Sequence, residues 1–331
     1  MKILITGATG FIGSRLVRAL VEKGYLCRCL VRETSNVDDI NNLDNVELVY
    51  GDVTDPQSLK GIVRGIEVIY HLAGLMGHDS PSKKAFERFR RVNVEGTRNL
   101  LKECVGTDIR KIIHFSSTAA MGPVGANGPI TETTACRPYT PYQVSKLESE
   151  EVARNFVERF NVPIVTIRPS MVYGPGFKGD FFTIAKVVKS RIFPLFGRGE
   201  NLSPALYVDD LIEVIQQLPE KGKAGETYLI TSERSYPLNR VVEIMESHLG
   251  IRTLKVPTPI WLAKTGAYLV EKSSALLGIK PVVTYKNICS TVTNRIFDVS
   301  KAKHELGFIQ KIPLEIGLKN TLDWFLSREL F

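Results

Sequence analysis

The chain opens with KILITGATGFIGSRLVRALVEK, and no other stretch limits its fold so tightly. Aliphatic residues run straight into Gly7, Gly10 and Gly13, and behind them apolar residues recur every three to four positions. That pattern reads as a buried strand, a glycine turn and an amphipathic helix. Without side chains at the turn, backbone can approach a pyrophosphate, and the helix N-terminus adds amide donors and partial positive charge. The spacing Gly-x-x-Gly-x-x-Gly differs by one residue from the usual dinucleotide fingerprint, and a turn that needs glycine only for helix packing would carry the same residues.

The rhythm continues. Candidate strands are KILIT, YLCRCLV, VELVY, VIYHLA, IRKIIHFSS and VPIVTIRPS, separated by helical patterns such as FIGSRLVRALVEK and AFERFRRVNVEGTRNLLKEC. Strands alternating with helices imply right-handed crossovers and a mostly parallel, doubly wound α/β sheet covered on both faces. After Pro169 the pattern breaks up, with Pro and Gly at 174–179 and 194–204. We expect the dinucleotide-binding domain over residues 1–170, with 205–231 returning to it through ALYVDDLIEVIQQL and ETYLIT. Residues 171–204 and 232–331 are expected to form a smaller, mainly helical substrate lobe.

Composition narrows the function classes. The 331 residues are 44% hydrophobic and 24% charged, and no apolar run has the length of a bilayer-spanning helix. The N-terminus, punctuated by Gly and Thr and lacking a cleavage-like site, reads as retained, and the protein as cytoplasmic. The charge of +8 is spread without a long basic block, which fits a solvated surface with a few positions facing a phosphorylated ligand and gives no sign of a nucleic-acid partner. Cys27, Cys29, Cys104, Cys136 and Cys289 contain no Cys-x-x-Cys pair, so neither a zinc site nor a disulfide framework is expected. Cys27 and Cys29 read as buried thiols of a strand. The five His never cluster at metal-ligand spacing, and His71 and His114 read as satisfied core residues.

In PYQVSK, Tyr142 and Lys146 stand four residues apart, one turn from each other on a single helix face. Such pairs are common on helix surfaces, so context decides their meaning. TGATGFIGS, GDVTD, HLAG, NVEGTRNLL, FSSTAA, YQVSK, RPSMVYGPG and YVDD, in that order from residue 6 to 210, resemble the extended short-chain dehydrogenase/reductase family, also called the NAD-dependent epimerase/dehydratase family. RIFDVSKAKHELGF near the C-terminus is similar to it as well. The dihydroflavonol reductase and 3β-hydroxysteroid dehydrogenase-like branches are the most alike.

The resemblance implies a Rossmann domain, a nicotinamide cofactor and a Ser/Thr-Tyr-Lys catalytic set. Moving a hydride to or from a carbinol carbon requires a proton on its oxygen, so a general acid/base must sit there. Tyr142 takes that role if its pKa is lowered by the Lys146 ammonium and the cationic nicotinamide ring, and Lys146 would also bond the ribose. Thr118 matches the residue that orients the substrate oxygen, with Ser117 as the neighbouring alternative. Asn93 matches a helix Asn that supports the lysine and a water path, or else it makes only a local backbone bond. The cofactor-binding positions implied by the motifs are Gly7, Gly10, Phe11, Ile12, Gly13, Arg32, Asp52, Val53, Ala73, Gly74, Tyr142, Lys146 and Pro169. Val31 stands where an NAD site carries an acid and Arg32 follows it, which favours NADP(H) over NAD, while Glu33 keeps NAD open. Asp52 also reads as a turn or cap residue.

On the substrate side, Ala119 and Ala120 stand where dehydratases of the family carry an Asp-Glu pair. Met171 replaces the Asn of nucleotide-sugar members, and no Arg precedes YVDD. Met76, Thr118, Met171 and Tyr173, with Phe177 and the Trp261 segment, suggest a partly apolar pocket, although an apolar side chain taken singly is more often plain core than pocket lining. Cys136 reads as a loop or packing residue, with an epimerase thiol as the other possibility. PIWLAKTGAYLVEKSSALLG reads as an ordinary lobe helix, with a lid or membrane contact as alternatives. The expected activity is a reductase or dehydrogenase acting on a small molecule. A nucleotide-sugar 4-epimerase and a non-catalytic dinucleotide-binding sensor are the alternatives. The family also implies a homodimer built on the helices through NVEGTRNLLKEC and from Tyr142.

Overall fold

The computed structural model describes all residues except 78, 80, 125–127 and 277–292; Cys289 and the end of the 259–278 segment lie outside the described residues. The main sheet is formed by β1 (Lys2–Thr6), β2 (Leu26–Val31), β3 (Val46–Tyr50), β4 (Val68–His71), β5 (Lys111–Phe115), β6 (Ile164–Pro169) and a returning strand, Thr227–Ile230. Between β6 and that strand come β7 (Val172–Tyr173), β8 (Ile192–Phe196), β9 (Leu202–Pro204) and β10 (Leu206–Tyr207), so the returning strand is β11. β12 (Ser235–Pro237) and β13 (Leu254–Thr258) complete the series. The spatial order is β11-β6-β5-β4-β1-β2-β3, with every pairing in this sheet parallel.

Alternation along each strand feeds both faces. Ile3 and Ile5 join one core with Cys27, Cys29 and Tyr70, and Leu4 joins the other with Ile69 and Ile112. Helices α1 (Phe11–Glu22), α2 (Lys83–Arg90), α3 (Gly96–Cys104) and α4 (Pro141–Phe160) flank the sheet. Gly13, Leu16, Val17 and Leu20 form the buried stripe of α1, the i, i+3, i+4, i+7 set that a helix over a sheet requires.

The helical stretch 85–104 is not uniform. Between α2 and α3, Arg91–Glu95 is a π-helical turn, and Asn93 within it sends its side chain out of the helix toward the end of β4. α4 is fixed at its start by a capping box, Thr140 with Gln143, and by Pro141 in its first turn.

A second body packs around Tyr173, Phe181, Phe193, Met245, Leu318 and Phe325. It uses α5 (Asp180–Lys189) and, after α6 (Val208–Ile215) and α7 (Leu218–Lys221) beside the sheet, α8 (Leu238–Leu249). α9 (Ile260–Leu276), α10 (Ser300–Leu306) and α11 (Leu314–Ser327) follow. One expectation needs correcting here. α10 and its flanks, placed by sequence in the substrate lobe, lie against the main sheet: Val299, Ala302, Leu306 and Phe308 share the core of Tyr228 and Ile230 on β11. β11 brings its own apolar face to the sheet edge, and α10 is the element that covers it.

Candidate active site

Strand order reverses beside β1, where the chain leaves toward β2 on one side and reaches β4 on the other, so a crevice opens beyond the C-terminal strand ends. The glycine turn lies on this edge. Gly7 has φ of 71°, and a side chain there would meet the Ala73 nitrogen at 2.8 Å; one at Gly13 would meet the Gly7 oxygen at 2.1 Å. Only glycine permits both approaches. No side chain caps Gly10 at the start of α1, which leaves the first amides of α1, from Phe11 through Gly13, pointing outward for an anion. The cradle and its uncapped helix end therefore fit a dinucleotide pyrophosphate.

The neighbouring strand ends are tied to it. Thr6 Oγ1 accepts from Ala73 N at 3.1 Å and lies 2.8 Å from His71 Nδ1, while His71 Nε2 lies 3.0 Å from Thr97 Oγ1. His71 is thus satisfied on both nitrogens, and burial, with the Lys146 charge adding to it, lowers its pKa to about 3. His114 differs from expectation: Nε2 meets Ser149 Oγ at 3.1 Å, but Nδ1 is buried with no partner among the described residues.

On α4, the Tyr142 phenol faces the Ser117 hydroxyl, which acts on its ionisation. This favours the neighbouring alternative over Thr118, which is buried in the 3-10 turn Thr118–Met121 that Ser117 caps through Ala119 N. Burial raises the Tyr142 pKa above its ordinary value, and the neighbouring Ser117 hydroxyl works against that rise. The expected lowering by Lys146 is not found in the chain alone. Lys146 Nζ turns to donate to the Phe115 carbonyl at 2.8 Å, and its own pKa is lowered to about 8 by burial, with the Glu150 charge opposing.

Asn93 joins the cluster through its side-chain amide. Its Oδ1 accepts from Leu75 N at 2.6 Å, and its Nδ2 donates to Leu75 O at 3.0 Å and to Ser145 Oγ at 2.8 Å. It thereby fastens the loop after β4 to α4 one residue before Lys146. A side chain at Gly74 would lie 3.2 Å from both Asn93 Oδ1 and Lys146 Nζ, so the three converge.

The remaining positions divide. Arg32 is exposed just past the end of β2, as is Glu33. Asp52 Oδ1 accepts from Thr54 N at 2.7 Å, an ordinary turn bond, and the Val53 carbonyl is taken by Asn99 Nδ2 at 3.0 Å. Pro169 ends β6 and is buried. Phe11 stacks on Phe177 with centroids 4.9 Å apart, and Ile12 is half-buried against the sheet core. Met76 is 63% exposed and Met171 packs on the second core. Tyr173 requires correction as a substrate residue: its ring is buried between Phe181 and Tyr207 in the lobe core, and its hydroxyl points at Gly317, where a side chain would come within 2.3 Å. Aromatic packing in the smaller lobe claims it. The Cys136 thiol, raised by burial, accepts from Arg168 Nη2 at 3.7 Å, a packing role.

Sequence reasoning missed the support beneath the lysine. Glu150, one further turn along α4, accepts from Arg168 Nε at 2.9 Å and Nη2 at 2.7 Å and from the Ser116 hydroxyl, all buried. The repeat of four from Tyr142 through Lys146 to Glu150 was its sequence signal. Arg295 was missed as well. Its Nε is buried without a hydrogen-bond partner among the described residues, and burial lowers its pKa against the pull of Tyr139, three residues ahead of Tyr142.

A model of the NAD dependent epimerase/dehydratase family matches residues 3–231. The chain is similar to sterol demethylase protein B of Methylococcus capsulatus, 28% identical with 99% of each chain covered. It is 30% identical to a putative dihydroflavonol 4-reductase of Synechocystis, over 97% of this chain and 93% of the relative. Among solved structures, UDP-glucuronic acid 4-epimerase from Bacillus cereus, in complex with UDP-glucuronic acid and NAD, superposes with a TM-score of 0.80 at 25% identity over 100% of both chains.

Proposed function

Because this chain belongs to the NAD dependent epimerase/dehydratase family, we propose that it interconverts a ketone and a secondary alcohol on a medium-sized, partly apolar substrate, using NADP(H). One observation carries the reading: a half-buried phenol, Tyr142, facing the Ser117 hydroxyl with Lys146 one turn away, beside a glycine cradle that fits a pyrophosphate. A nicotinamide held there supplies the two-electron carrier.

The chain's own groups manage the proton. Burial keeps Tyr142 protonated at neutral pH, the form that can donate to a carbonyl oxygen as charge develops on it. Ser117 holds the same oxygen by a hydrogen bond. The Lys146 ammonium, buried nearby, offsets the phenolate left when the proton departs. In the oxidising direction the phenolate takes the proton back. Gly7, Gly10 and Gly13 would hold the pyrophosphate, and Arg32 the 2′-phosphate that distinguishes NADP from the NAD of the solved relative. We also propose that α3 and α4 pair two copies of the chain.

A second reading, nucleotide-sugar 4-epimerisation, is favoured by Arg295, a half-buried cation whose buried Nε has no partner among the described residues and which a substrate phosphate or carboxylate would satisfy. The deciding experiment identifies the cofactor released from purified protein and follows NADPH and NADH consumption with panels of ketones and nucleotide sugars. Exchangeable NADPH turned over with ketones supports the reductase, and retained NAD with sugar isomerisation supports the epimerase. Tyr142→Phe should lower kcat about 10²–10⁴-fold while cofactor affinity persists. Unchanged turnover in that variant would remove Tyr142 from the chemistry, and a wild type that binds the cofactor but turns over none of the panel would favour a non-catalytic dinucleotide-binding protein.

A further inference from the structure

We propose that the outward face of α9, with the outer face of the β8–β13 ribbon, docks on an anionic lipid surface. α9 has its polarity reversed. Toward the protein it turns Ala263, Lys264, Ala267, Glu271 and Ser274, all buried or half-buried. Toward water it turns Trp261, Leu262, Tyr268 and Leu269, with Trp261 68% and Leu269 61% exposed. At one hundred degrees per residue these four fall on one side of the helix, and a helix of a soluble domain places its apolar stripe inward instead.

The ribbon repeats the reversal. β13 pairs with β8 so that Leu254 stands opposite Ile192 and Val256 opposite Pro194. All four are exposed, Leu254 at 67%, while Phe193 between them is buried. Only Pro259 separates β13 from α9, and Ile260 at the start of the helix lies over the end of β8, its Cδ1 3.6 Å from where a Gly197 side chain would begin. Ribbon and helix are therefore adjoining parts of one apolar surface.

Charge selects the occupant. Residues 189–198 and 251–274 carry Lys189, Arg191, Arg198, Arg252, Lys255, Lys264 and Lys272 against Glu271 as the one acid. Lys255 is paired with Glu246, and Lys189 bonds the Phe331 carbonyl, but Arg191, Arg198, Arg252 and Lys272 are exposed. A second copy of this face would bring like charges together. Anionic headgroups neutralise them while the acyl boundary receives Trp261 and Leu269, and a Trp, a Tyr and flanking lysines are the residues that favour such an interface. The 17-residue helix, interrupted by Lys264, Glu271 and Lys272, would lie along the surface.

The sequence holds two Trp, so Trp324→Phe leaves Trp261 as the single indole reporter. Its emission should be that of a solvated indole in the free protein. It should shift to the blue on adding phosphatidylcholine vesicles containing roughly a third phosphatidylglycerol, and the shift should fade with salt or without the anionic lipid. Leu269→Glu in that background should weaken partitioning about tenfold or more with an unchanged circular dichroism spectrum. If that variant does not fold, Arg252→Glu should weaken it several-fold. The proposal is overturned by a blue-shifted emission in the free protein, which would mean another segment covers the face. Equal partitioning of the variants, or a dimer that Leu269→Glu converts to monomer without lipid, would also overturn it, the latter assigning the face to a second copy.

Discussion

Lys146 is charged inside the protein with a carbonyl as its hydrogen-bond acceptor, and burial lowers its pKa from 10.5 to about 8. Unfolding restores the higher value, so between those two pH values the unfolded chain binds more protons and stability rises with pH. Below about 8 the folded protein carries the whole penalty, on the order of 3 kcal/mol for a shift of this size. Urea unfolding of the cofactor-free protein should therefore show the wild type gaining stability from pH 7 to pH 10 relative to Lys146→Met. A constant difference between the two would contradict the buried charge. On the proposed function, that cost is what a site that must counter a phenolate carries at rest. Tyr142 and Lys146 were legible in the sequence because their spacing of four is a property of the helix alone. Ser117 was legible only as one of two neighbours, since which hydroxyl meets Tyr142 depends on how the 3-10 turn after β5 is wound.

At the scale of elements, α4 is a rod that holds three groups in a row, and β6 supplies its anchor. Glu150 and Arg168 form a bidentate pair with side chains only 4% and 7% exposed, so neither charge has water to fall back on. Glu150→Gln leaves the buried Arg168 without its bonded carboxylate, Glu132 acting on it only as a weaker neighbouring charge, and we expect a loss of about 3–5 kcal/mol by chemical denaturation. The double variant Glu150→Gln with Arg168→Met should recover part of that loss. If Glu150→Gln costs under about 1 kcal/mol, the pair is better hydrated than the structure places it. The π-helical turn at Arg91–Glu95 belongs to the same scale. Sequence periodicity reads residues 85–104 as one helix, because the inserted turn answers to Asn93 reaching Leu75 and Ser145 on other elements.

For the whole molecule, the two bodies do not divide as the chain order suggests. α10 belongs to the sheet, where Leu306 is fully buried against β11. Leu306→Ala should cost about 2–5 kcal/mol. Hydrogen exchange should quicken at Thr227–Ile230, while α5 and α8 in the lobe keep their protection. Loosening confined to the lobe would instead return residues 299–308 to it. The sequence by itself determined the alternation of strands and helices, the glycine cradle and the helical spacing of Tyr142 and Lys146, because strand period, helix period and backbone approach at glycine are local properties. Only the tertiary structure decided which hydroxyl meets Tyr142, that Glu150 and Arg168 lie beneath Lys146, that Tyr173 is core and that α10 covers the sheet. Those outcomes depend on contacts between segments far apart in the chain, and on which surfaces are left to exclude water once the sheet has formed.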